Sequence, residues 1–96
     1  MIDYRLFNCC QDNREPNWAQ FVSLELGGCR QADTDNIEGG VSATNAEFFT
    51  VYARDPQGYA TAITDIHDAR DALAVSAQLA LRAKMPLNLS PHLGEH

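Results

Sequence analysis

No apolar run in this chain is long enough to cross a bilayer; the most apolar stretch, Ala72 to Ala83, is interrupted by Ser76, Gln78 and Arg82. The opening MIDYRLF brings an early acid, Asp3, and no apolar h-region. Neither a membrane span nor a secretory signal is expected, which leaves a cytoplasmic location as the expectation. Cysteine is scarce: Cys9, Cys10 and Cys29 make an odd number without framework spacing, and the adjacent Cys9 and Cys10 would close a strained ring if they paired. They read as reduced thiols, and the absence of a C-x2-C pair argues against a thiolate zinc site.

Positive charge is also scarce. Seven bases face thirteen acids, a formal net charge of -6. Between Asp12 and Asp71, eleven acids (Asp12, Glu15, Glu25, Asp33, Asp35, Glu38, Glu47, Asp55, Asp65, Asp68, Asp71) stand against Arg14, Arg30, Arg54 and Arg70, which leaves -7. Such a field repels phosphates and anionic membranes and speeds encounters with basic proteins. Direct nucleic-acid binding and membrane binding are therefore not expected, while a basic protein surface is the expected partner.

The 96 residues suit one domain with a thin core. The N-terminal IDYRLFNCC alternates with period two and predicts a first strand, and QDNREPN predicts a loop around Pro16. WAQFVSLELGG fits a helix opened by Pro16 or a strand with Val22, Leu24 and Leu26 inward and Ser23 and Glu25 outward; the alternation favours the strand. CRQADTDNIEGGVSATN reads as a loop with one short edge strand at most. Glu47 to Arg54 and Tyr59 to Ile63 form a hairpin across DPQG, because Pro56 presets the turn and Gly58 supplies the left-handed residue. Phe49, Val51 and Ala53 share one face of it, and Phe48, Thr50, Tyr52 and Arg54 the other.

From Ile66 to Met85 the period becomes 3.6. Ile66, Ala69, Leu73, Ala77 and Ala80 form one stripe, with Ala72, Val75, Leu79 and Ala83 beside it. Pro86 ends this helix, and PLNLSPHLGEH is a tail that stays loose unless Leu87 and Leu89 dock. The expectation is an α+β fold, an antiparallel sheet of three to four strands with one long C-terminal helix on one face, residues 1–86 forming the domain and 87–96 a flexible tail.

Three patterns invite chemistry. The His67-Asp68 doublet lacks the partners that would complete a metal set, since no histidine precedes His67 and His92 and His96 lie in the tail. Thr64 or Asp65 as N-cap, Asp68 at the third helical position and Asp71 in the first turn explain the same residues through the helix dipole. DTDNIEGG misses an EF-hand loop at Ile37, Glu38 and Thr44. Nothing places a base beside Cys9, Cys10 or Cys29. No cofactor or metal is called for, and a non-enzymatic protein is expected. Tyr52 and Tyr59, flanking the turn, are expected to be partly exposed, and Phe49 and Trp18 to belong to the core.

The run FFTVYARDPQGYATAITDIHDARDALAVSAQLALRAKM, Phe48 to Met85, resembles the hairpin-then-helix half of small accessory proteins carried by phages and plasmids. In size, acidity and lack of a catalytic set the chain is similar to anti-CRISPR and antirestriction proteins among them. That resemblance implies a non-enzymatic inhibitor that occupies the basic surface of a nuclease or RNA-guided complex, its carboxylates standing where phosphates would bind. Asp33, Asp35, Glu38, Asp65, Asp68 and Asp71 are the carboxylates it points to, with Tyr52 and Tyr59 as aromatic contacts. Two rival readings remain: a small metal-dependent hydrolase or metal-binding protein using His67, Asp68 and Asp71, and a structural homodimer paired through the hairpin face or an edge strand.

Overall fold

The computed structural model describes residues 5–31, 36–91 and 93. Its strands are β1 (Ser23–Gln31), β2 (Ile37–Val41), β3 (Phe48–Arg54), β4 (Ala60–Ile66) and β5 (Leu87–Leu89), and its one long helix is α1 (Ala69–Ala83). The fold is α+β, as the residue patterns predict. Strands β2, β1, β3 and β4 lie side by side in that order, all antiparallel to their neighbours, while β5 joins β1 in parallel. Strand β1 is the axis: β3 lines one edge from Ser23 to Cys29, and the other edge is divided between β5 at Leu24–Leu26 and β2 at Gly28–Gln31.

That division requires close approach at one point. A side chain on Gly28 would begin 2.7 Å from the Val41 carbonyl oxygen and 3.1 Å from the Ala46 Cβ, where the β1–β2 register shifts. Only a residue without a Cβ fits there.

The β3–β4 hairpin follows the predicted chemistry. Gly58 donates its N–H to the Asp55 carbonyl at 2.9 Å and takes φ +91°, and the Asp55 carboxylate accepts from the N–H groups of Gln57 and Tyr59. Phe49, Val51 and Ala53 point into the core, opposite Gly28, Leu26 and Leu24. Helix α1 covers this side with Ala72, Val75, Ser76 and Leu79. Its mostly small side chains let the helix settle close to the sheet, over Leu24, Leu26, Val51 and Ile63, all essentially inaccessible to solvent.

Four expectations are corrected. First, residues 5–10 form turns rather than a strand, and Leu6 and Phe7 are both buried although they are neighbours in sequence. Their order comes from long-range bonds: the Asn8 side-chain amide donates to the Asp65 carbonyl and accepts from the Asp65 N–H, both at 2.7 Å, so it stands in for a strand peptide at the outer edge of β4. Second, a short 3₁₀ turn at Trp18–Gln20 precedes β1, and Val22 is outside the strand and half exposed; Leu24 and Leu26 point inward as predicted. Third, the helix begins at Ala69, because β4 runs on through Ile66, and the stripe it buries is centred on Ala72, Val75 and Leu79 while Leu73 and Ala77 face solvent. Fourth, the N-cap is Asp68. Thr64 is buried in β4 with its hydroxyl donating to the Arg5 carbonyl at 2.6 Å.

At its other end α1 closes on Lys84 in the left-handed region, with the Met85 N–H reaching back to the Ala80 carbonyl at 3.1 Å. Pro86 then directs the chain to β1, where Leu87 and Leu89 meet the condition for docking the tail by pairing with Leu24 and Leu26. No helix of the described residues is long and apolar enough to cross a membrane.

The close contact at Gly28 gives a direct test. Gly28→Ala is expected to lower stability by about 1–3 kcal/mol through overpacking against the β2 backbone. Gly27→Ala, whose Cβ would meet its nearest neighbour at 3.5 Å, is expected to change it far less. Urea denaturation of the two variants beside the parent measures the difference.

Candidate functional site

With α1 on one side of the sheet, no helix or strand of the described residues covers the other. Alternation sends Glu25, Gly27 and Cys29 of β1, Phe48, Thr50, Tyr52 and Arg54 of β3, and Asp65 of β4 to this side. These residues are joined across three strands. The Thr50 hydroxyl donates to Asp65 Oδ1 at 2.6 Å, and Cys29 Sγ lies 3.4 Å from both Thr50 Oγ1 and the Tyr52 hydroxyl.

Donor arithmetic orients the chain. Thr50 has one hydroxyl hydrogen and gives it to the carboxylate, so it accepts from the Cys29 thiol; the thiol then has none left and accepts from Tyr52. Every hydrogen bond in the series, Tyr52 to Cys29 to Thr50 to Asp65, points toward the Asp65 charge. Cys29 and Thr50 are buried, whereas Asp65 is exposed at the end of the series. Beside it, Glu25 accepts from Arg54 Nε at 2.8 Å, and Arg54 also holds the Gly58 carbonyl. At the far end the Phe48 and His67 rings pack edge to face, with centroids 6.3 Å apart.

The sequence-predicted residues separate into groups. Tyr52 and Asp65 share the helix-free face and belong to one hydrogen-bonded series. Asp68 and Asp71 follow in the chain at the start of α1, where Asp68 Oδ2 accepts from the Asp71 N–H at 3.0 Å. Glu38 is elsewhere: it is held by Arg30 Nε at 2.9 Å, and alternation puts this pair on the opposite side of the sheet from Cys29. Tyr59 is exposed at the turn end of the hairpin, at the other end of β4 from Ile66 and the start of α1. Asp33 and Asp35 lie outside the described residues. His67 and Asp68 diverge, one toward Phe48 and the other into its capping bond, and no three metal-ligating side chains converge among the described residues.

Residue patterns alone missed Glu25, Thr50 and the Glu25–Arg54 pair. The signal was available in the strand period, since Thr50 and Arg54 share the hairpin face of Tyr52, but the register of β1 that brings Glu25 and Cys29 opposite them was not.

The thiols are free and differ in setting: Cys9 is exposed, Cys10 half-buried and Cys29 buried. Partial desolvation of its sulfur, followed by the nearby Asp65 carboxylate, pushes the Cys9 thiol up to about 12, and desolvation raises Cys10 as well. Tyr52 is pushed up to about 12, first by burial and then by its bond to Cys29. None of these shifts makes a nucleophile at neutral pH. Glu15 moves the other way, lowered by its hydrogen bonds from Arg82 and from Trp18 Nε1.

Comparison of the chain with protein-family models, with curated proteins and with solved structures gave no match. What this face does must be read from its own geometry.

Ionisation and capping can both be measured. Because Cys9 and Tyr52 ionise later in the folded chain than in the unfolded one, the stability they confer is complete below their ordinary values and is lost as pH rises toward about 12. Cys9 is thus expected to react with iodoacetamide at pH 8 at least about a hundredfold more slowly than free cysteine, and Asp65→Asn should accelerate it; peptide mapping by mass spectrometry reads both. At the helix start, Asp68→Ala is expected to cost about 1 kcal/mol and Asp68→Asn much less, because the amide oxygen still caps; thermal melts compare them.

Proposed function

We propose that this chain is a non-enzymatic interaction module that binds and blocks a basic protein surface, of the kind by which a nuclease or RNA-guided complex holds nucleic acid. The observation that carries the reading is the helix-free sheet face ending in the exposed, hydrogen-bond-oriented Asp65 carboxylate, with the exposed Asp68 and Asp71 following in the chain where it enters α1. Arg70 is the one arginine or lysine in the segment from Asp65 to Asp71. A basic surface placed against this edge meets the Asp65 and Asp68 carboxylates already oriented by hydrogen bonds, so fewer side chains have to be ordered on binding.

The contact surface differs from the one the resemblance implies. Tyr52, Asp65, Asp68 and Asp71 form it, Glu25 borders it, and Glu38 and Tyr59 lie outside. Electrostatic attraction of this kind sets the encounter rate and weakens with salt.

The test is a cleavage assay with a panel of RNA-guided and restriction nucleases, run with rising amounts of the protein. Inhibition of at least one enzyme is expected, weaker at higher salt, and reduced at least tenfold by the double substitution Asp65→Lys with Asp71→Lys. Undiminished inhibition by that folded double variant would overturn the assignment of the face, and inhibition of no enzyme would overturn the blocking role.

A further inference from the structure

A second surface stands apart from the helix-free face. A cleft of about 910 Å³ opens between residues 9–16, the Gln20–Phe21 segment and the hairpin turn at Asp55–Gln57, with Thr61, Ala62 and Ile63 of β4 along its side. This volume is in the range of specific ligand sites.

Its position along β4 defines what fits. β4 is the last strand of the sheet, and among the described residues its outer edge is occupied only where Asn8 brackets Asp65 and the Cys9 N–H donates to the Ile63 carbonyl at 3.1 Å. The N-terminal segment then turns away at Gln11–Asn13, where Asp12 and Asn13 both take φ 54°. From Ile63 back to Ala60 no strand of the described residues pairs with this edge, and this is where the cleft opens. An uncovered edge bordered by a wall is the geometry of strand addition: backbone hydrogen bonds supply affinity, and side-chain surroundings supply selectivity.

Charge selects the occupant. Asp12 and Asp55 face the cleft against Arg14, and Glu15 adds a carboxylate already held by Arg82. Asp12 has no ion-pair partner among the described residues, and the half-buried Phe21 and Pro16 supply apolar wall for an alkyl stem. We infer that this cleft takes an extended peptide segment as an added strand beside β4, with an arginine or lysine side chain directed to Asp12 and Asp55.

The inference does not rest on the helix-free face, and the two fail separately. The probe is a blocked hexapeptide of alternating valine and arginine, titrated into the full chain. Trp18, the single tryptophan, bonds to Glu15 and contacts the Phe21 ring at the cleft wall, so its emission reports occupancy. Saturable change in that emission is expected, with the amide resonances of Thr61 and Ala62 shifting in parallel. The pair Asp12→Asn and Asp55→Asn should weaken binding at least fivefold, since asparagine keeps both the left-handed backbone at residue 12 and the turn-capping oxygen at residue 55. Asp65→Lys should leave it unchanged. Equal binding of an alternating valine–glutamate peptide, or of the valine–arginine peptide with a methylated backbone, would overturn the inference, as would amide shifts confined to Thr50, Tyr52 and Asp65.

Discussion

Everything in this fold depends on β1 using both of its edges. One edge is given whole to β3, and the other is divided between β2 and β5, two strands far apart in the chain. Because β5 must return to β1 after α1, the helix is drawn across one side of the sheet and cannot also cover the other. The division is steric at its centre: Gly28 lets the Val41 carbonyl approach where any side chain would block it. A helix-free face is thus a consequence of how one strand is shared, and its residues follow from the period of β1 and β3.

The elements legible in the sequence are those decided locally. DPQG and its flanking alternation specify the hairpin within a dozen residues, and the 3.6 period between Ala69 and Ala83 specifies the helix. What escaped was decided at a distance. Residues 5–10 have the alternation of a strand but are placed by the Asn8 amide acting on Asp65 and by the Arg5 carbonyl accepting from Thr64, contacts more than fifty residues apart in sequence. The cap was misplaced for a related reason. Thr64 and Asp65 are good capping residues in isolation, yet pairing with Val51 and Thr50 extends β4 past them, and Asp68 becomes the first acid free to cap.

Formal charge and available charge also part company. Of the acids that make the sequence so negative, Glu15, Glu25 and Glu38 are held by Arg82, Arg54 and Arg30, while Asp55 and Asp68 satisfy backbone N–H groups. These carboxylates stabilise turns and tie segments together, and exposed pairs of this type contribute little net energy while fixing geometry. Among the described residues, the carboxylates that keep a free outlook are therefore fewer than the residue count implies, and Asp65 and Asp71 at the junction of β4 with α1 and Asp12 in the cleft beside the hairpin turn are among them.

Asp65 links these two regions. Its backbone is clamped by Asn8 at the outer edge of β4, so the residue that fixes where the edge is covered also fixes where it becomes free. Its side chain terminates a series of donors reaching back to Tyr52 in β3 through the buried Cys29 of β1. In such a series each bond polarises the next, and the low dielectric around Cys29 and Thr50 strengthens the effect. The carboxylate is thereby oriented through Thr50 by a series that spans three strands, although it stands at the surface. An exposed acid on a flexible side chain loses conformational entropy when a cation binds it; the Thr50 hydrogen bond has already cost Asp65 part of that freedom on folding, so less remains to be lost.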